Sequence, residues 1–172
     1  MWYVVQVRTG DELKLAERFR HEIKTEGEDI FVPLFERRRS IRGKWTRVTK
    51  PLFPGYIFFQ TDDAESLYFR LKKIDAFTKI LSTGHGEYSP IEKEEENFLR
   101  SLIGEDYIAQ ESIGVIEGDQ IIVERGPLKG LEGSIIKINR HKRIAIIRAD
   151  FMGGAREVKV GLEIIDKRPA GA

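Results

Sequence analysis

The densest chemistry in this 172-residue chain is cationic. From Arg37 to Lys50 stand Arg37, Arg38, Arg39, Arg42, Lys44, Arg47 and Lys50 with no acid among them, and Trp45 lies in their midst. Cations at that density suit phosphate oxygens, and an interleaved indole suits stacking on an unpaired base. The competing reading is a solvated edge hairpin kept soluble by its charges. A second basic stretch, Lys137, Arg140, His141, Lys142 and Arg143, falls at a turn between branched-residue runs, with Lys129 and Arg156 as outlying members. By itself it reads as a charged β-turn between two strands. Lys14, Arg18 and His21 share a helix face, where solvation is the simpler account. Catalytic chemistry is poorly served. The three histidines, His21, His85 and His141, have no metal-ligand spacing, and there is neither a phosphate loop nor a nucleophile elbow. With no cysteine, thiolate zinc sites and thiol nucleophiles are excluded. No enzyme, catalytic residue, metal or cofactor is therefore expected.

These groups must be held by elements whose outlines the sequence carries. Trp2 to Val7 is an aromatic and branched run ending at Thr9-Gly10, which predicts a buried first strand. A helix is predicted from Asp11 to about Lys24, with Leu13, Ala16, Phe19 and Ile23 inward. Phe31 to Phe35 predicts a strand that Pro33 confines to an edge or bulge. Arg42-Gly43-Lys44 supplies the turn of a basic hairpin. Gly55 to Gln60 is a further strand, and Asp62 or Asp63 caps a helix whose Leu67, Leu71 and Ile74 face the core. A last strand includes Lys79 to Leu81. Ser89-Pro90-Ile91-Glu92 has the form of a capping box, predicting a helix from Pro90 to Ile103 stopped by Gly104. The order indicates an α+β domain with helices against an antiparallel sheet.

Residues 105–113 lack periodicity and read as a linker. Beyond them the texture is all-β, with branched runs at Gln120 to Glu124, Gly133 to Asn139, Arg143 to Asp150 and Glu157 to Ile165. Such runs suit a small closed barrel. Their crowding of Ile and Val argues against a helical form of this half. The net charge of +1 conceals an asymmetry: 18 basic against 20 acidic residues up to residue 113, and 11 against 8 beyond it. No stretch approaches the roughly 18 apolar residues of a membrane span, so a cytoplasmic protein, monomeric and without membrane contact, is expected.

Two motifs now become recognisable. Trp2-Tyr3-Val4-Val5-Gln6 followed by Phe53-Pro54-Gly55-Tyr56 resembles the opening strand and central signature of the NusG N-terminal domain. Gly118-Asp119-Gln120-Ile121-Ile122-Val123, then Gly126-Pro127-Leu128-Lys129-Gly130-Leu131-Glu132-Gly133, resembles a KOW motif, with Gly126, Pro127, Gly130 and Gly133 forming its turn. The resemblance spans essentially the whole chain. It implies an α+β N-terminal domain over 1–104, a linker over 105–113 and a small SH3-like KOW barrel over 114–172. It further implies a transcription elongation or antitermination factor whose N-terminal domain docks on the β′ clamp helices of RNA polymerase. Tyr3, Phe53, Tyr56 and Phe58 match the positions from which an apolar docking pocket would be built, although each also suits an ordinary core. The basic hairpin would then lie beside non-template or upstream DNA.

Two segments depart from the general NusG pattern. They are Gly84-His85-Gly86-Glu87-Tyr88-Ser89 and Asp150-Phe151-Met152-Gly153-Gly154-Ala155-Arg156, the latter followed by Val160-Gly161-Leu162-Glu163-Ile164-Ile165. These departures resemble specialised paralogues of the LoaP type, implying that the KOW domain grips an RNA hairpin in a leader transcript through Lys137, Arg140, His141, Lys142 and Arg143, with Lys129 and Arg156 as outlying members, and that selected operons are the targets. The alternative is a general factor coupling polymerase to ribosomal protein S10 or to Rho, for which Phe151 would be the contact. An exposed Phe151-Met152 pair would suit a protein partner, and a cap on the barrel is the other reading.

Overall fold

Alternation along the first strand sets the layering of the N-terminal half. In the computed structural model, which describes residues 1–75, 79–81 and 88–171, β1 (Trp2–Gln6) sends Trp2 and Val4 to one face and Tyr3 and Val5 to the other, as a period of two requires. β1 pairs antiparallel with β5 (Tyr56–Gln60) and with β6 (Lys79–Ile80), while β2 (Asp29–Phe31) flanks β5, giving the order β2-β5-β1-β6. One face carries α1 (Glu12–Glu22) and α2 (Ala64–Leu71), whose Leu15, Ala16, Phe19, Leu67 and Leu71 pack on Tyr3, Val5, Ile57 and Phe59. The other face presents Trp2, Val4, Phe31 and Phe58 to α3 (Lys93–Ile103) and to residues from beyond position 120.

Several boundaries differ from expectation. Leu13 is exposed, and Leu15 takes the inward place, because α1 buries the stripe Glu12, Leu15, Ala16 and Phe19. α3 begins at Lys93, not Pro90: the Ile91 amide donates to the Trp2 carbonyl at 2.9 Å, which ties that residue to the strand and leaves Glu92 as the N-cap. The run over Phe31 to Phe35 is broken at Val32-Pro33 into β2 and the start of β3 (Leu34–Ile41). β3 and β4 (Lys44–Pro51) form the basic hairpin, turning on Arg42 at φ 52° and Gly43 at φ 78°; two left-handed residues are the geometry that matches strand twist. Asp63 caps α2 through the Ser66 amide at 3.0 Å.

The stretch expected as a linker is built into the structure. The Leu34 amide donates to the Tyr107 carbonyl at 2.9 Å, and β7 (Ile108–Ala109) pairs parallel with β3. Tyr107 stacks on Phe31 at 3.9 Å and donates its hydroxyl proton to Asp29. Burial, with Asp29 holding that proton, pushes the phenol up to about 12. β8 (Ser112–Glu117), missed by periodicity, follows at once and pairs with β9 (Gln120–Arg125). A single 3-10 turn over Glu132–Ser134 leads into β10 (Ile135–Asn139), then β11 (Ile144–Phe151) and the long β12 (Gly154–Arg168). Their ladder runs β10-β11-β12-β8-β9, with β8 and β12 parallel. Among the described residues β9 and β10 are its edges, so backbone pairing does not close it into the expected barrel. Gly126 lies against this sheet at φ 103°, where an added Cβ would fall 2.6 Å from the Ser112 Cα; the Ser112 hydroxyl oxygen accepts from the Leu128 amide beside it.

Candidate docking hollow and nucleic-acid interface

Four aromatic rings meet where the two halves touch. Phe53 follows β4 at the foot of the hairpin, and Phe58 and Tyr56 project from β5 on the same face, because residues two apart in a strand share a side. Into this hollow the β11–β12 turn inserts Phe151, held there by Met152 at φ 52° and Gly153 at φ 80°. Phe151 stacks on Phe53 with centroids 4.5 Å apart and planes at 17°, and lies 5.4 Å from Tyr56 and 6.0 Å from Phe58. It is 2% exposed, so of the two readings of Phe151-Met152 the exposed pair does not hold for Phe151, which is a buried plug against the N-terminal half. Arg156 closes the rim. Its guanidinium donates to the Tyr56 hydroxyl at 3.0 Å and covers the Tyr56 and Phe151 rings. Tyr3 does not join the hollow, since strand alternation sends it to the α1/α2 face, where burial raises its phenol.

The two basic segments also come together. Strand register places Arg38, Trp45 and Arg47 on one face of the hairpin and Arg37, Arg39 and Lys44 on the other. The β10–β11 turn is gripped between them: Arg37 Nη1 donates to the Lys142 carbonyl at 3.0 Å, and the Arg143 guanidinium lies 3.8 Å over the Trp45 ring. Arg143 also pairs with Glu163 at 3.4 Å. Trp45, Arg140, His141, Arg143, Glu163 and Ile164 line an open cavity of about 370 Å³. Arg38, Arg39, Arg42, Lys44, Arg47, Lys137, Arg140, His141 and Lys142 are exposed. Lys129 stands apart, in the Gly126–Leu131 turn beside the C-terminal end of α3, and Arg156 belongs to the hollow. Lys14, Arg18 and His21 are exposed on α1, with Arg18 paired to Glu22. The Gly84 to Glu87 part of the departing loop, with His85, lies outside the described residues.

Three contributors to the contact were not singled out from the sequence. Glu111 accepts from the Arg38 amide at 2.7 Å, and burial raises its carboxyl, with Glu163 nearby adding to the rise. Gly161 lies so close to the hairpin that an added Cβ would fall 2.1 Å from the Glu36 carbonyl oxygen. A glycine inside the branched run Val158 to Ile165 is the one signal that marks such an approach in advance. Glu95 on α3 has both carboxylate oxygens buried without a hydrogen-bond partner, beside a cleft shared with Gly133, Ser134, Arg148 and Asp150. No helix of the described residues is long and apolar enough to cross a membrane.

Comparison with known proteins agrees on one family. A family model described as transcription termination factor NusG matches residues 1–100. The transcription termination/antitermination protein NusG of Rickettsia typhi is 25% identical over 171 residues, covering 96% of this chain and 89% of its own length. That of Thermus thermophilus is 26% identical over 175 residues, covering 94% of both. A solved structure described as domain interaction in Thermotoga maritima NusG superposes with a TM-score of 0.53 at 22% identity, covering 95% of this chain and 93% of that one, a likeness of fold.

Proposed function

The chain belongs to the NusG family of transcription termination and antitermination factors, and on that premise we propose that it docks on RNA polymerase through the Phe53, Tyr56 and Phe58 hollow while its C-terminal KOW module carries RNA. The observation that supports docking is the hollow itself. Aromatic anchors with a polar rim are what a helical partner needs, and this one already accepts an aromatic plug. In this reading residues 1–104 form the docking module, 105–113 the connection and 114–172 the KOW module. The hollow receives the β′ clamp helices once Phe151 withdraws, and the hairpin cations meet non-template or upstream DNA. Arg140, His141, Lys142 and their neighbours take an RNA hairpin in the leader transcript, which confines action to selected operons, as in LoaP-type paralogues. Coupling to ribosomal protein S10 or Rho through Phe151 is the less favoured branch, because that ring is buried in the resting chain.

Phe53→Ala should weaken retention of core polymerase in a pull-down. Transcription in vitro across a terminator should read through only when the native leader is present. Unchanged retention would remove the hollow from the account, and leader-independent readthrough would favour the general factor.

A further inference from the structure

The sequence places two cationic segments about a hundred residues apart and suggests different ligands for them. In the folded chain they are one surface. We propose that the closed protein holds a single RNA stem-loop across both the β3–β4 hairpin and the β10–β11 turn, and that this RNA favours the closed arrangement over the open one.

Arg143 is the joint and not the gripping group, since its guanidinium is spent on the Trp45 ring and the Glu163 carboxylate. Arg37 is likewise engaged at the Lys142 carbonyl. Arg38 and Arg47, on the Trp45 face of the hairpin, flank this joint on one side, and the exposed Arg140 and Lys142 of the turn flank it on the other. His141 and the exposed part of Trp45 add flat groups on which an unpaired base can stack. Closing therefore crowds two positive segments within a Debye length, about 8 Å at physiological salt. Among the described residues only Glu36, Glu111 and Glu163 lie among them in the adjoining clefts. A polyanion bridging the segments removes that repulsion in the closed form and gains nothing comparable in the open one. Linkage then requires that RNA stabilise closure and that closure tighten RNA binding by the same factor. When polymerase takes the hollow, the hairpin arm of the RNA contact is surrendered and the turn arm remains. The leader thus tethers the protein beside polymerase through the turn, although the hairpin arm holds the hollow shut until polymerase displaces it.

The inference rests on the RNA reading above, and the test separates the two. Anisotropy of a fluorescein-labelled RNA stem-loop is measured against salt for the full chain, for Arg38→Gln with Arg47→Gln, and for Arg140→Gln with Lys142→Gln. Each set is repeated with Phe151→Asp to open the protein, and again with Gly161→Ala as an independent opening substitution. In the closed background both pairs should weaken binding and lower the slope of log affinity against log salt by about 1.5, as for two phosphate contacts. In the opened backgrounds only the turn pair should matter. A hairpin pair without effect in the closed protein, or with the same effect in the opened one, overturns the composite surface and leaves RNA binding by the turn intact. If the turn pair has no effect in any background, the RNA reading falls with it.

Discussion

Removing the plug should make the protein a better polymerase ligand. Phe151→Ala deletes a ring that touches Phe53, Tyr56 and Phe58 across the contact at 4.5, 5.4 and 6.0 Å. At about 0.5–1.5 kcal/mol for each aromatic pair, the closed form loses on the order of 3 kcal/mol relative to the open one. That corresponds to about a hundredfold shift in the closed-to-open ratio. If polymerase binds only the open form, its apparent affinity rises by the same factor, up to the limit set by the closed fraction of the native chain. The assay is titration of labelled protein with core polymerase, with circular dichroism confirming that the C-terminal sheet is intact. Affinity equal to or below that of the native chain, with the sheet preserved, would refute the reasoning: Phe151 would then be part of the core and not an occupant of the docking surface.

Other substitutions probe the same balance. Gly161→Ala places a methyl 2.1 Å from the Glu36 carbonyl oxygen and should separate the hairpin from β12; in a Trp2→Phe background, Trp45 emission should change as Arg143 leaves the ring, and an unaltered spectrum counts against the close approach. Glu95→Met removes a buried carboxylate that has no partner, and at about 1–3 kcal/mol for such a group should favour closure and weaken polymerase binding; stronger binding would show that Glu95 does not oppose the contact. The N-terminal module carries a pH signature of its own. Burial alone would raise the Glu28 carboxyl, but bonds from Arg70, Thr25 and Thr61 outweigh it and bring the value from 4.5 to about 2. A depressed carboxyl stabilises the fold above its unfolded value, so stability on the order of 3 kcal/mol should be lost as pH falls from about 4.5 towards 2. Arg70→Met should cost on the order of 2 kcal/mol at neutral pH by leaving Glu28 with only its Thr25 and Thr61 hydrogen bonds, and a thermal midpoint that does not move would exclude the pair as a support.

What the sequence made legible was mostly local. The hairpin over Arg37 to Lys50, the Asp63 cap and the inward Leu67, Leu71 and Ile74 follow from periodicity and turn chemistry, and all are found. The β content of the C-terminal half is likewise written in its Ile and Val runs. Tertiary choices were hidden. Leu13 and Leu15 are both apolar neighbours on α1, and only the angle at which the helix meets the sheet decides between them. The helix expected from Pro90 was shortened by the bond from the Ile91 amide to Trp2, at the far end of the N-terminal half and invisible to a local window. Residues 105–113 lacked a pattern because β7 is two residues long and stabilised by partners in β3, with Tyr107 anchored on Phe31. The site followed the same rule. Residue types identified Phe53, Phe58, Phe151 and both cationic runs, while their meeting depends on Gly161, Glu111 and Glu163, whose importance exists only once the halves touch.

An aromatic hollow on a free surface is a liability, since a contiguous apolar patch invites association with whatever is at hand. Phe151 covers it with a ring of matching shape, and the Trp45–Arg143–Glu163 joint fixes the far end of the same contact. Against these stand the partnerless Glu95 carboxylate and the crowding of two basic segments. The opposing terms sit at different places along one interface, so each can be altered without touching the others. A partner that supplies its own apolar surface replaces the plug, and one that supplies negative charge reinforces the joint. If polymerase takes the hollow and RNA the joint, as proposed, the two act on the contact with opposite sign, and a titration of polymerase binding against RNA concentration should show RNA raising the polymerase concentration needed for half-saturation while the turn keeps its hold on RNA.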